Sequence, residues 1–168
     1  SVLATTGNNA VVDWVVVELR DPATPSQVIA TSSALLRRNG HITSVTGSPV
    51  RFPVMGGNYH VAIRHRNHLS CMTGVPVTFG ASIATIDLTV AETATYGAEA
   101  RKTLLNGTQV LWGGNVVGDG RLMYTNQDND RDPILALIGG TIPTSSVNGY
   151  HTADTNMDGA VKYTCNNN

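Results

Sequence analysis

Two stretches of this 168-residue chain place oxygen-bearing side chains at intervals that suit a hard divalent cation. NVVGDGRLMYT (115–125) aligns with DTNMDGAVKYT (154–164) at an offset of 39 residues. Asp119-Gly120 falls on Asp158-Gly159, Leu122 on Val161, Tyr124 on Tyr163 and Thr125 on Thr164. A repeat of this kind reads as a duplicated unit. In a calcium loop, oxygen ligands stand at positions 1, 3 and 5, a glycine at 6 permits the sharp bend, and a main-chain carbonyl follows at 7. The second copy meets that pattern with Asp154, Asn156, Asp158, Gly159 and the Ala160 carbonyl. The first copy offers Asn115, Asp119 and the Arg121 carbonyl, but Val117 stands at position 3 with no side-chain oxygen. Its site is therefore expected to be weaker, or completed by water or a neighbour.

Position 12 normally closes such a loop with a carboxylate. Counting from Asn115 reaches Asn126, and the insertion NQDNDR (126–131) then leads to Asp132. DPILALIGG (132–140) is expected to be a short helix, with Asp132 as N-cap, Pro133 at N1, an apolar face of Ile134, Leu135, Leu137 and Ile138, and Gly139-Gly140 as the stop. Asp132 is the first choice for the closing carboxylate, with Asp130 and Asp128 behind it. The plain alternative for both loops is turn chemistry, because Asp, Asn and Gly favour turns with no ion present.

Other groups support less. His60, His65 and His68, with His41, would have to converge to hold zinc; on a strand His60 shares a face with Arg64, Arg66 and His68, which reads as a solvated polar face. That face could also take an anionic glycan or an acidic patch. Asn106-Gly107-Thr108 matches a glycosylation acceptor, though Asn-Gly is first a turn. Trp14 and Trp112 read as core or junction residues. G-x-S-x-G, H-E-x-x-H, the phosphate-binding G-x-x-x-x-G-K-[ST] and a strand-borne G-x-G-x-x-G are all missing from the sequence. With three Glu in the chain, paired-carboxylate hydrolysis is poorly served. The reading is not an enzyme.

The elements that must position these loops are short strands. VVDWVVVELR (11–20) is a β-branched run, DPATPS (21–26) a turn, and QVIATSSALL (27–36) the return. HITSV (41–45), PVRFPV (49–54), YHVAIRHRNHL (59–69), GVPVTF (74–79) and ATIDLTV (84–90) complete about seven strands at sandwich-like spacing. The expected fold is mainly β, an antiparallel β-sandwich over 1–95, followed by a calcium-loop and short-helix segment over 96–168. Six of nine Asp lie between 119 and 158, which supports that division.

Composition sets outer bounds. Charged residues make up 14% and the net charge is -1, so nothing points to nucleic acid. No run approaches the 18 or so apolar residues of a membrane span. SVLATTGNNA at the start lacks a basic segment and an apolar core, so an exported protein would have lost its leader or carry it upstream. Cys71 and Cys165 could pair or remain as two thiols.

GGNYHVAIRH (56–65) together with VVVELRD resembles the strands of transthyretin-like, or prealbumin-like, sandwich modules of secreted bacterial proteins, over about residues 10–90. The doubled D-x-N-x-D-G loop with YTNQDNDRDPILALIGG resembles a dockerin-like tail found after such a sandwich in large secreted surface proteins of Bacteroidetes-type bacteria. It departs from that pattern at Val117 and in the insertion before Asp132. The resemblance implies an extracellular, calcium-stabilised interaction module that binds a protein partner or self-associates through its C-terminal segment, in a filament or surface layer. The chain ends at Asn166–Asn168, where the second loop should continue, so further residues or another chain are expected to complete it. The rival implication is a carbohydrate-binding accessory module of a secreted hydrolase.

Overall fold

In the computed structural model, residues 2–164 are described, and the expectations for Cys165 and for residues 166–168 lie outside them. The fold is mainly β with antiparallel pairing and one short helix. The strands are β1 (Val11–Arg20), β2 (Val28–Arg37), β3 (Ile42–Thr43), β4 (Gly57–His65), β5 (His68–Met72), β6 (Val77–Phe79), β7 (Lys102–Thr103), β8 (Gln109–Val110), β9 (Ser146–Asn148) and β10 (Ala160–Lys162), with α1 at Arg131–Leu137. Contacts divide the chain into two compact units, Ser1–His65 with Ser70–Val110, and Arg66–Leu69 with Leu111–Asn168. The sequence suggested a change of character at 95/96; the contacts keep the β7–β8 hairpin with the first unit and lend the β4–β5 turn to the second.

The first unit is built on a sheet of order β3-β2-β1-β4-β5, with β6 also paired to β4. β1 lies at its centre, with Val15, Val17 and Leu19 buried on one face. Register sets Val15 opposite Ala34, Val17 opposite Ile63 and Leu19 opposite Val61, so one face carries a continuous apolar patch. Burying each large aliphatic side chain stabilises the fold by roughly 1.5–3 kcal/mol. On the other face Glu18 is buried, and its carboxylate is held by the Arg20 guanidinium and by Arg64 at 3.3 Å.

Two expected strands are not strands. Residues 49–54 and 84–90 have no ladder partners among the described residues, with a bend at Pro53 and a turn at Leu88-Thr89, yet Val50, Phe52, Val54, Ile86 and Leu88 pack on the apolar patch. They form the second layer, so the arrangement is sandwich-like with only one face built as a full ladder. Pro49 and Pro53 have no N–H to donate. In the second segment Asp87 Oδ1 takes the Thr89 N–H at 2.8 Å, which closes a turn where the strand would continue. The 59–69 stretch is two strands, not one, because the chain reverses at Arg66-Asn67. This also changes the histidines. His60 is buried with Nδ1 at 2.7 Å from the Thr73 carbonyl, so it does not lie on a solvated face, and the side chain of His65, which points the other way, is buried with Nε2 at 3.1 Å from Asp13 Oδ2.

Asn106-Gly107 makes the turn of the β7–β8 hairpin, with Gly107 in the left-handed region at φ +86° and Asn106 Oδ1 accepting the Thr108 N–H at 3.1 Å. The second unit has its own core of Val116, Ile138, Ala153 and Val161, flanked by Ile134, Leu135, Val147 and Tyr163. Helix α1 stops as expected at Gly139-Gly140, whose N–H groups reach the Ala136 and Leu135 carbonyls at 3.1 and 2.8 Å. Its start is corrected. Asp132 is not the N-cap and Pro133 is not the first helical residue. Asn129 performs the capping instead, its Oδ1 accepting the N–H groups of Arg131 at 3.1 Å and Asp132 at 2.9 Å.

Candidate functional site

The second loop is organised by Asp154, whose residue is 2% exposed. Its Oδ1 accepts the Asp158 N–H at 3.2 Å and its Oδ2 the Gly159 N–H at 2.9 Å, so one carboxylate folds positions 5 and 6 back over position 1. Asn156 Oδ1 also accepts the Asp158 N–H at 3.2 Å, and Asp158 Oδ1 accepts the Ala160 N–H at 2.9 Å. Asp154, Asn156 and Asp158 therefore converge on one bend. Met157 and Gly159 take the left-handed conformation, at φ +60° and +85°.

The first loop follows the same backbone rhythm. Gly118 and Gly120, 39 residues before Met157 and Gly159, are also left-handed, at φ +77° and +81°. Asp119 Oδ1 accepts the Arg121 N–H at 2.9 Å, matching Asp158 with Ala160. Asn115 Oδ1 accepts the Gly118 N–H at 3.0 Å. The repeat read from sequence is thus a repeat of conformation.

Of the three closing candidates, one reaches the first loop. Asp130 is buried, with Oδ1 accepting the Val117 N–H at 3.1 Å and Oδ2 the Met123 N–H at 2.8 Å. Asp132 turns to Asn129 Nδ2 at 2.8 Å and Arg131 at 3.6 Å, and Asp128 is exposed with left-handed backbone at φ +58°. Neither joins the loop through a contact seen here.

The β4–β5 turn supplies residues that sequence reasoning missed. Asn67 is fully buried. Its Nδ2 donates to the Asp154 carbonyl at 2.6 Å, while its own carbonyl accepts the Gly114 and Asn115 N–H groups at 2.9 and 3.0 Å. The Arg66 guanidinium lies 4.3 Å from the Tyr150 ring centroid, donates to the His151 carbonyl, and stands 4.0 Å from Asp154 Oδ2. An Asn in a polar turn carries no periodic signal, so no pattern could have found it.

The donor chemistry differs between the loops. In the second, two carboxylates, an amide oxygen and the Ala160 carbonyl suit a hard cation. Each side-chain oxygen that takes a backbone N–H keeps a second lone pair. The ammonium of Lys162 stands 3.1 Å from Asp158 Oδ2, and this contact, with the Ala160 and Asn156 hydrogen bonds, holds the Asp158 carboxyl below the ordinary aspartate range. Arg66 and Lys162 so neutralise the two carboxylates. The first loop suits an ion less well, because Val117 stands at position 3 with no side-chain oxygen. Among the described residues no three His, Cys, Asp or Glu side chains form a metal-holding group. Beside the first loop, a shallow cleft of about 390 Å³ is lined by Leu122, Met123, Tyr124, Arg131 and Ile134, with Arg131 stacked 4.8 Å from the Tyr124 ring centroid.

Comparison with known proteins adds no identity: no family model, no curated protein and no solved structure matches this chain.

Proposed function

We propose that this chain is a non-enzymatic structural module of a secreted or cell-surface protein, stabilised by calcium at the second loop and used in protein–protein assembly. The observation that carries the reading is the bend at Asp154–Ala160, where three oxygen-bearing side chains converge over left-handed backbone at positions 4 and 6. Asp154, Asn156, Asp158 and the Ala160 carbonyl would hold the ion, and Lys162 would leave Asp158 as it enters. The ion would supply positive charge to a bend that otherwise relies on Arg66 and Lys162. The first loop has Val117 where the second has the Asn156 oxygen, so one calcium is assigned here, at the second copy. Use of the loop carboxylates as acceptors for backbone N–H groups supports a structural role.

Thermal melting with calcium and then with chelator tests this. A ligand that binds the native state at 100 times its Kd adds about 2.7 kcal/mol, which raises the midpoint of a chain of this size by several degrees. Asp158→Asn should lose most of that rise and keep the fold. An identical midpoint in calcium and in chelator, for the native sequence, would sink the reading.

A second reading, a carbohydrate-binding accessory module of a secreted hydrolase, draws on the cleft between Tyr124 and Arg131, where an aromatic ring and a cation are both partly accessible. Calcium-independent retention on a polysaccharide column, lost in Tyr124→Ala, would favour it over the first.

A further inference from the structure

The two faces of β1 invert the usual order. On the core face Val15, Val17 and Leu19 are buried. On the other face Val12, Trp14 and Val16 are exposed, while the charged Glu18 is buried. Trp14 is 47% exposed, so it does not belong to the core. Its indole N–H meets no acceptor among the described residues. Single exposed apolar side chains need no explanation, but three in succession on one strand face mark a contact surface.

The neighbours of this stripe are polar. Val16 lies between Ser33 of β2 and Arg64 of β4, and Glu18 lies beside Thr31. Thr31, Ser33 and Arg64 are exposed. The charges do not cancel. Glu18 Oε2 accepts the Arg20 Nε–H at 2.9 Å and a second N–H of the same guanidinium, so Arg20 alone neutralises the carboxylate. Arg64 touches Glu18 Oε1 at 3.3 Å through one nitrogen, and its side chain is 54% exposed. Two guanidiniums over one carboxylate leave a net positive charge beside Val16, and Arg64 donates to no other acceptor among the described residues.

We propose that this face binds an acidic polysaccharide, a chain of uronic acid sugars. The electron-rich face of the Trp14 ring takes the C–H face of one sugar. Arg64 takes a sugar carboxylate through its remaining nitrogens, in the paired geometry that guanidinium favours. The Ser33 and Thr31 hydroxyls bond to sugar hydroxyls along the other border. The dimensions agree: Trp14 and Val16 stand about 6.8 Å apart along the strand and β4 lies about 4.8 Å to the side, so the ring and the guanidinium reach one sugar or two adjacent ones. An acidic peptide shares the charge but engages sheets through free backbone groups at an edge. β1 is paired on both sides, which leaves side-chain recognition alone.

NMR titration of the full chain with trigalacturonate, read at the Trp14 indole N–H and the amides of β1 and β4, tests this. The shifts should saturate with a Kd in the roughly millimolar range or below, and the fully methyl-esterified trisaccharide, with the same rings and no charge, should bind at least about tenfold more weakly. Arg64→Gln should erase that difference. Trp14→Ala should weaken the acid about tenfold or more. Both substitutions change exposed side chains, Glu18 keeps Arg20 in the first, and a dispersed amide spectrum confirms folding. A Trp14 signal that does not saturate overturns the proposal, as does equal affinity for the acid and its ester. Triglutamate binding as tightly as trigalacturonate would make the partner an acidic peptide and also overturn it. Shifts confined to Tyr124 and Arg131 would place the sugar at the cleft of the second unit instead. The affinity should be the same in calcium and in chelator, so the proposal stands or falls apart from the calcium reading, and binding lost in chelator would overturn it.

Discussion

The Asn67 side chain donates to the main-chain carbonyl of Asp154 at 2.6 Å, so the tip of the β4–β5 turn grips the first position of the second loop. The Asn67 carbonyl holds the N–H of Asn115, the corresponding first position of the other copy. One buried residue therefore ties both repeats at the same point of their pattern. Asn67→Ala keeps the main-chain bonds and removes the amide. Losing a buried hydrogen bond and leaving its partner unsatisfied costs about 1–3 kcal/mol. Urea denaturation should show that loss, and hydrogen exchange should quicken through residues 151–160. Unchanged stability would mean that the contact does not hold the loop.

Asp130 separates structural closure from metal binding. Its two carboxylate oxygens accept the Val117 and Met123 N–H groups, and the side chain is buried. Asp130→Ala strands both donors and should destabilise the second unit by about 2 kcal/mol or more, since charge-assisted hydrogen bonds are worth about 1.5–3 kcal/mol each. That loss should be equal in calcium and in chelator. A loss seen only with calcium present would make Asp130 an ion ligand and overturn its assignment as an internal clasp.

β1 and β2 were legible because their signal is local: β1 is a β-branched run, apolar on both faces at Val15, Val16 and Val17, and the pleat turns Val15, Val17 and Leu19 one way. Apolar spacing misled at 49–54 and 84–90. Val50, Phe52 and Val54 do face the core, but an apolar alternation specifies burial, whereas a ladder also needs N–H donors in register, and prolines withhold them. For α1 the apolar spacing and the glycine stop were readable. The cap was misplaced by three residues because proline favours the first helical position without requiring it. Asp154, Asn156 and Asp158 could be brought together from spacing alone, since a loop of six residues carries its own geometry. Asn67 lies 87 residues from Asp154 and could be placed there only by the fold.

Asp87 should titrate low. Its Oδ1 accepts the Thr89 hydroxyl at 2.6 Å and the Thr89 N–H at 2.8 Å, and these bonds, the hydroxyl first, hold its carboxyl below the ordinary aspartate range. The group binds its proton more weakly in the native state than in the unfolded chain. Its contribution to stability is present above the unfolded pKa of about 3.9 and is lost as pH falls through the lower native value. Carboxyl-carbon NMR should place the midpoint below the ordinary value, and Thr89→Val should move it up. A midpoint that ignores the Thr89 substitution would remove the hydroxyl as the cause.

The shared backbone path of the two loops makes a prediction with opposite signs. At position 4 the first copy has Gly118 at φ +77°, and the second has Met157 at φ +60°. A left-handed conformation costs an ordinary L-residue roughly 1–2 kcal/mol, whereas glycine adopts it freely. Replacing glycine by alanine also gains about 0.4–1 kcal/mol by restricting the unfolded chain. Gly118→Ala has open space around the added Cβ, so conformation alone decides, and the net effect should be about 1 kcal/mol of destabilisation by the difference of those two terms. Met157→Gly reverses the balance. Relief of the left-handed residue outweighs the added unfolded-state freedom, and the second loop should gain about 1 kcal/mol by the same two terms, less whatever packing the methionine gives up. The Met157 side chain is 40% exposed, so it gives up only part of its apolar contact. Urea denaturation of the two variants beside the native chain measures both signs. Destabilisation by both would show that the methionine's packing, and not its backbone, governs the second bend.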